Sequence, residues 1–395
     1  MANLTIRRVQ GEELLKFQFP LSDYAFGGTP PLGKIDEARE WLPSFADSIM
    51  LVMFADERPI ATVLSSPLTQ NVRGEIYPLG GVGDVTTVPE ERRQGHSRRL
   101  LVELFAMLRA EGAVLAGLYP FRASFYERFG FVAFPYVRIV SFSPQTLLPL
   151  LRWNLGGQFE RMLIADGIVT WCAFTRECQK SIHGMTLFSD RVTTYRQQVM
   201  NGHWLVLARF EGEIVGALLY KITGFKEKML IPNFLYNNSR GKYLLLEWLA
   251  RHADQVNEVE LHLPAGEQPE VWLDDMDAKI RLPVIHYNGM GRILDMAKIG
   301  GMQTGPGRFS AKISDPHCPW NEGLYTFETV DGLLQVSPSQ TADCELTIQA
   351  ISALIYGTHD TADFVFRGWG NPSSPVQAIM RTMFPRLQPY MFAIY

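Results

Sequence analysis

The chain has 395 residues, with 37 lysines and arginines against 41 aspartates and glutamates, for a formal net charge of −4. That length exceeds what one hydrophobic core usually serves and predicts two or three domains, while the mild acidity argues against a general nucleic-acid binder. Hydrophobic content of 47% and charged content of 20% are ordinary for a soluble globular protein. The first residues lack the apolar core of a signal peptide and no apolar run reaches the roughly 18 residues of a membrane span, so a cytoplasmic protein without membrane contact is expected. Cys172, Cys178, Cys318 and Cys344 show no Cys-x-x-Cys spacing. They are expected to be reduced, with no metal site.

In chain order, Leu4, Ile6 and Val9 alternate with polar residues as a short strand does. Glu12 to Phe19 is a candidate helix. The stretch from Tyr24 to Pro31 reads as an aromatic, glycine- and proline-rich turn, either a lid on the substrate side or simply a rigid loop. Ser48 to Ala55, the turn Asp56-Glu57-Arg58-Pro59, and Ile60 to Leu64 form a hairpin pattern. The apolar run Ile76 to Val88 is interrupted by Gly80, Gly81 and Gly83, which in an isolated strand means a weakness or a bulge. Val114 to Leu118 is a further strand, Phe121 to Phe129 a short aromatic helix ending at Gly130, and Phe131 to Val140 a returning strand. Mixed strands around two helices make an α/β layer structure.

The chemistry concentrates between residues 76 and 131. Arg92-Arg93-Gln94-Gly95-His96-Ser97-Arg98-Arg99 opens the helical run Leu100, Leu101, Leu104, Phe105, Leu108. The first turn of a helix leaves about four N–H groups without partners, directed at any anion on the axis. Gly95 removes a side chain from that approach, and four arginines raise the local potential. Neither the Walker pattern nor the dinucleotide glycine pattern is present. Arginines at a helix start also occur as plain solvated surface, so these residues alone leave both readings open.

Past Ser141 a Ser-Phe-Ser-Pro stretch reads as a linker, and Phe159 to Cys178 has no clear period. An internal repeat follows: Leu51 to Ala61 is echoed by Leu205 to Val215, then come a strand around Lys228 to Tyr236 and Ser239-Arg240-Gly241-Lys242 before the helical run Tyr243 to Leu249. Residues 150–288 therefore read as a duplicated fold without its active site. Asn288 to Gly291 marks the next boundary. Phe309 to Ile313, Gly323 to Val330 and Gly332 to Val336 behave as antiparallel strands with Asp331-Gly332 as a hairpin turn, and Leu346 to Tyr356 and Pro375 to Phe384 as helices. Such an α+β domain could carry an apolar ligand. The tail Pro389 to Tyr395 is aromatic and uncharged, which a free terminus seldom needs.

Val88-Pro89 followed by Arg92-Arg93-x-Gly-x-x-Arg resembles the acetyl-CoA pyrophosphate loop of the GNAT N-acetyltransferases. Leu118-Tyr119 and Phe125-Tyr126-Glu127-Arg128-Phe129-Gly130-Phe131 look like the second signature of that superfamily. The whole chain is similar to its Eis-like (enhanced intracellular survival) branch. That resemblance implies an α/β (α+β) chain of two tandem GNAT-like domains, residues 1–148 and a degenerate 149–288, followed by a sterol-carrier-protein-like α+β domain, residues 289–395, that opens on the strand Arg292 to Met296. Ser97 stands where the superfamily usually has glycine or alanine.

The resemblance also implies acetyl-CoA as co-substrate. It assigns the pantetheine arm to Val85, Thr86 and Thr87, and the rest of the cofactor to Arg92, Arg93, Gln94, Gly95, His96, Ser97, Arg98, Phe121 and Arg122. His96 is expected to be exposed or touching the nucleotide. Tyr126 falls on the catalytic tyrosine, where a phenol of pKa about 10 stays protonated and can donate to the leaving sulfur; taken without the resemblance, it reads first as an aromatic core residue capped by a hydrogen bond. The α-carboxylate of Tyr395 falls on the proposed base, against readings of the tail as an anchor or a frayed end. Asp23, Phe26 and Asp84 are candidates for lining an acceptor pocket, with Glu211 as a further acid.

The expected reaction is direct attack of an amine on the thioester in a ternary complex, without an acyl-enzyme. Relatives of this kind acetylate aminoglycosides or polyamine-like molecules and assemble as hexamers, trimers of dimers. Two other readings remain open on sequence: a protein or peptide lysine acetyltransferase, and a non-enzymatic lipid or small-ligand binder with a vestigial acetyltransferase fold.

Overall fold

A computed structural model describes residues 3–30, 33–199, 202–283 and 288–393. The chain forms two compact units, one of residues 1–134, 289–387 and 391–395, the other of residues 135–288 and 388–390. The first break falls at Pro135, and the C-terminal segment shares a unit with the N-terminal one.

The first unit begins with β1 (Leu4–Arg8), a π-helical turn Leu14–Gln18, α1 (Phe19–Phe26) and α2 (Ile35–Glu40). Tyr24 to Phe26 thus belongs to a helix, where the glycines and prolines that follow predict a turn, because Leu21 anchors this segment in the core. Then come β2 (Ile49–Ala55), β3 (Arg58–Val72), β4 (Glu75–Thr87), α3 (His96–Ala110), β5 (Leu115–Leu118), α4 (Ala123–Glu127) and β6 (Val132–Ala133). All of β2 is buried because both of its faces are covered. Ile49, Leu51 and Met53 pack with Leu100, Leu101, Leu104 and Phe105 of α3, and the alternate residues Met50, Val52 and Phe54 pack with Leu14. This alternation explains the unbroken apolar run.

The expected strand Phe131–Val140 is two strands in two sheets. Pro135 has no N–H to offer a ladder, and β6 ends just before it. β7 (Arg138–Phe142) opens the second unit, which continues with a 3-10 helix Pro144–Arg152, β8 (Gln158–Leu163), α5 (Ile164–Gln179), β9 (Thr186–Phe188) and α6 (Asp190–Val199). It ends with β10 (Trp204–Phe210), β11 (Glu213–Ile222), β12 (Lys228–Tyr236), α7 (Ser239–Ala250), β13 (Glu258–Leu263) and β14 (Lys279–Arg281). Its sheet runs β14-β7-β13-β12-β11-β10-β8. Ser141 and Phe142, read as linker from sequence, are strand residues whose register partners are Glu260 and Val259.

The last segment starts with β15 (Met290–Ile293), which joins the first sheet between β5 and β6 in the order β1-β2-β3-β4-β5-β15-β6. The strand expected to open a separate C-terminal domain therefore completes the N-terminal sheet, with Met290 opposite Leu118 and Ile293 opposite Leu115. After it, β16 (Arg308–Ser314), β17 (Gly323–Val330), β18 (Leu333–Pro338) and β19 (Cys344–Thr347) form a sheet in the order β18-β17-β16-β19. Asp331 at φ 52° and Gly332 at φ 80° make the tight β17–β18 turn. α8 (Ile348–Tyr356) is buried along nearly all its length, and α9 (Phe364–Arg367) and α10 (Ser374–Met383) follow. Ser352 Oγ accepts from the Ile293 N–H at 3.2 Å, which docks α8 on β15.

The two larger sheets share a plan: an antiparallel hairpin, a third antiparallel strand, a helix, and a strand parallel to the third. The hairpins correspond one residue away from the alignment that their sequences invite. Asp56 and Glu211 both take left-handed backbone at φ 53° at the turn, and the ladder shift after Met53 corresponds to that after Ala208. In the second unit α7 sits hard on its hairpin: a Cβ at Gly241 would lie 1.8 Å from the Val215 carbonyl oxygen. Gly241→Ala is expected to lower stability by about 3 kcal/mol, read as a fall in urea midpoint of the second unit's transition. An unchanged midpoint would mean that α7 is not seated as described.

Candidate active site

Two neighbouring strands of the first sheet part company. β4 and β5 run parallel in register from Leu79–Leu115 to Val82–Leu118, and β5 stops there. β4 continues to Thr87, still paired on its other side with β3 through Thr62–Thr86 and Ala61–Thr87. Among the described residues the β5-facing edge of Gly83 to Thr87 has no strand partner, and the carbonyls of Asp84, Thr86 and Thr87 accept from the side chains of Thr62, Thr87 and Arg92 instead. Gly80 is needed for a separate reason: a Cβ there would lie 2.6 Å from a methyl of Leu108 on α3.

The chain leaves β4 through a 3-10 turn, Pro89–Glu91, and enters α3 with Arg93 at φ 64° and Gly95 at φ 84°. Gly95 caps α3 without any side-chain hydrogen bond, and a Cβ there would meet nothing within 4 Å. The helix start is therefore open, its first N–H groups unclaimed by capping side chains. Arg92, Arg93, Gln94 and Arg98 are exposed around it. Arg92 donates Nε–H to the Thr87 carbonyl at 3.1 Å and Gln94 donates to Glu91 at 3.2 Å. Ser97 and Thr87 share a hydroxyl hydrogen bond of 3.0 Å, which ties the helix start to the end of β4. His96 differs from expectation: its ring is buried, with Nε2 3.8 Å from Glu91, so only its backbone faces the helix axis.

Tyr126 lies on α4 and is 4% exposed. Its ring meets Phe121, Phe125 and Phe131 at 5.7, 5.0 and 6.2 Å in edge-to-face arrangements. No described residue hydrogen-bonds its hydroxyl, which nonetheless keeps contact with solvent. Burial pushes the phenol's pKa up, so it holds its proton at neutral pH. Phe121 is 64% exposed with Arg122 over its ring, an arrangement open to a stacking partner.

Asp84 sits where the β3–β4 ladder slips between Thr62 and Leu64, in left-handed backbone at φ 50°. That conformation is costly for a non-glycine residue and occurs where a bulge re-aims a side chain. Its carboxylate accepts from Gln18 Nε2 at 2.8 Å and Thr62 Oγ1 at 3.2 Å. Burial raises its pKa to about 6, against the smaller lowering effect of hydrogen bonds from Ser22, Gln18 and Thr62. Gln18 and Thr62 gave no sequence signal, since Gln18 reaches Asp84 from the turn before α1 and Thr62 reaches it across the β3–β4 ladder, where it stands opposite Thr86.

The remaining candidates are placed differently. Asp23 accepts from the Gly33 N–H at 2.8 Å and so closes the loop after α1, while Phe26 is 71% exposed at the end of that helix. Glu211 is an exposed turn residue of the second unit. Tyr395 lies outside the described residues, but the Tyr119 hydroxyl lies 3.1 Å from the carbonyl oxygens of both Met391 and Ala393. The four cysteines are unpaired, and burial lifts their thiols to about 11 or 12, so none is a ready thiolate. Among the described residues no group of His, Cys, Asp or Glu is arranged to hold a metal, and no helix is long and apolar enough to cross a membrane.

The matching place in the second unit is closed. β12 and β13 pair over four residues from Lys228–Glu258 to Ile231–Leu261, and β12 then runs on to Tyr236. There the Tyr236 hydroxyl donates to Glu267, and Trp272 stacks on Phe234 at 6.0 Å. At the start of α7 the Asn238 side chain accepts from the Gly241 N–H at 2.9 Å, occupying a donor that α3 leaves free.

The raised pKa of Asp84 has a stability consequence. The folded state holds this proton more tightly than the unfolded chain, whose carboxyl titrates near 4, so the contribution is most favourable below that value and is lost as pH rises toward 6. Relative to wild type, Asp84→Asn is expected to gain up to about 2–3 kcal/mol between pH 4 and pH 7. Urea denaturation at several pH values measures this, and parallel curves would contradict the burial of the charge.

Comparison with known proteins bears on the same regions. Residues 5–134 match the family model described as an acetyltransferase (GNAT) domain, and residues 293–392 match that of a sterol carrier protein domain. No curated protein matches the chain significantly. Among solved structures, a GCN5-related N-acetyltransferase from Anabaena variabilis is similar with TM-score 0.83 at 13% identity, covering 100% of both chains. One from Kribbella flavida gives 0.81 at 17% identity, covering 100% of this chain and 99% of that one. Eis1 from Mycobacterium abscessus gives 0.76 at 15% identity, covering 99% and 100%. At such identities the likeness establishes the fold: the chain carries a GNAT-like N-terminal domain and a sterol-carrier-protein-like C-terminal domain.

Proposed function

We propose that this chain is an acetyl-CoA-dependent N-acetyltransferase that acts on an amine of a cationic small molecule, such as an aminoglycoside or a polyamine. The reading is carried by one arrangement: β4 diverges from β5 between an uncapped α3 start and the protonated phenol of Tyr126. The free edge at Val85, Thr86 and Thr87 suits the amides of a pantetheine arm. The α3 start, with Gly95 bare and Arg92, Arg93 and Arg98 around it, suits a pyrophosphate. Gln94, His96 and Ser97 contribute backbone there, and Phe121 and Arg122 offer a face for the nucleotide.

In this mechanism the amine nitrogen attacks the thioester carbonyl directly, the C–S bond breaks, and Tyr126 gives its proton to the departing sulfur. The raised thiol pKa values support direct transfer over an acyl-cysteine. Before attack the ammonium must lose a proton. The α-carboxylate of Tyr395 is the proposed acceptor, supported by the approach of Tyr119 to the carbonyls of Met391 and Ala393, which tethers the tail at the loop leading into α4. Asp84 is proposed to face the cationic acceptor, an anionic group suited to hold an ammonium. The second unit is proposed to be a degenerate GNAT domain, supported by its matching plan and its filled cleft. Assembly as a hexamer, a trimer of dimers, belongs to the same proposal and is read by light scattering.

Thiol release from acetyl-CoA, measured with aminoglycosides, diamines and lysine peptides, tests the reading. Release is expected with the first two classes. Tyr126→Phe is expected to lower kcat about 100-fold with CoA affinity unchanged, and one residue appended after Tyr395 to lower it about tenfold. Release with peptides alone would move the acceptor class to protein lysines. Failure to bind CoA would overturn the enzyme reading.

A further inference from the structure

We infer that the C-terminal segment positions the catalytic tyrosine: Gln349, His317 and Arg292 hold the carbonyls at the end of α4 and thereby set the orientation of the helix that carries Tyr126. This rests on the reading of Tyr126 as general acid. α4 has only five residues, Ala123–Glu127, and no side-chain cap at its start. So short a helix does not hold itself in water, and the carbonyls of its last turn have no partners within it.

Three donors from residues far along the chain meet those carbonyls. Gln349 Nε2 donates to the Glu127 oxygen at 2.9 Å, His317 bonds the Arg128 backbone, and Arg292 Nη1 donates to the Phe129 oxygen. The Arg367 guanidinium adds an ion pair with the Glu127 side chain at 3.4 Å. Cationic and amide donors at a helix C-terminus also complement its dipole. The turn that follows is equally close, because a Cβ on Gly130 would lie 2.8 Å from Ile348 and 2.9 Å from Arg292 Nη1.

Arg292 is itself immobilised. It is fully buried, lies over the Phe105 ring at 4.9 Å, donates Nε–H to the Ile293 carbonyl at 2.9 Å, and pairs with Asp315 at 2.5 Å. Asn321 donates to the same Asp315 oxygen at 2.9 Å, while the other oxygen, Oδ1, is buried without a partner. A buried ion pair with an unsatisfied oxygen is a poor way to gain stability over an apolar core. Its geometry instead delivers a guanidinium at a fixed point, the Phe129 carbonyl three residues after Tyr126. None of these three donors lies within residues 5–134, the segment that matches the acetyltransferase model.

The test uses the full chain with Gln349→Met, which keeps the side chain's length and removes its donor, beside Arg292→Met. Gln349→Met is expected to lower kcat about tenfold while leaving the acetyl-CoA KM, CoA affinity and Tm unchanged. In a Tyr126→Phe background the same change is expected to cost less than twofold, because the positioning has nothing left to position. An unchanged kcat, or a full tenfold loss in the Tyr126→Phe background, would overturn the inference. Amide hydrogen exchange of residues 125–130 provides a readout that needs no turnover. It is expected to accelerate about tenfold in Gln349→Met with the rest of the chain unaffected, and unchanged protection would overturn the positioning. Should Arg292→Met not fold, Gln349→Met carries the test. Accelerated exchange in a protein that acetylates no amine would uphold the hold on α4 and refute the acid assignment.

Discussion

A parallel strand pair that ends after four residues governs the first unit. Val82 and Leu118 are the last partners, and everything placed near the candidate site depends on what each strand does next. β4 keeps its ladder to β3 and so remains rigid while presenting a bare edge; β5 gives way to the loop that leads to α4 and Tyr126. A gap in a sheet normally leaves backbone polar groups unsatisfied, which is tolerable only where water or a ligand replaces the missing strand.

The second unit shows how the same plan closes. Its parallel pair also spans four residues, yet Tyr236 bonds Glu267 where the strands leave each other, Trp272 packs on Phe234, and Asn238 takes up the N–H of Gly241. Gly95 and Gly241 are both glycines at a helix start, with opposite physical reasons. One stands in left-handed backbone with empty space before it; the other is required because Val215 leaves no room for a side chain. A glycine at a helix start therefore does not mark an anion site until its surroundings are known.

The C-terminal segment is bound to the N-terminal one more closely than a sequence of successive domains implies. β15 lies between β5 and β6, α8 packs against β15 through Ser352, and Arg73 reaches from β3's end to the carbonyls of Leu354 and Ile355. Lining the sheet interior with a strand from the far end of the chain removes an edge that β5, only four residues long, would otherwise expose.

Local chemistry alone made several elements legible. The alternation at Leu4, Ile6 and Val9, the apolar period of α3, the Asp331-Gly332 turn and the Arg-rich approach to Gly95 all report short-range sterics and periodicity, which adjacent residues determine. Motif spacing pointed in the same way to the GNAT-like fold of the N-terminal segment. Tertiary structure decided the rest. Phe131 to Val140 reads as one strand because its apolar pattern is continuous, and only the destinations of its two halves separate them at Pro135. Tyr24 to Phe26 is helical because Leu21 is anchored, against the turn chemistry that follows. His96 turns inward although its neighbours are exposed arginines. Asp84 draws its raised pKa from burial, against the opposing hydrogen bonds of Gln18 and Thr62, and Arg292 finds Phe129 163 residues back along the chain. Such meetings are set by long-range packing, which leaves no periodic trace in the residues that take part.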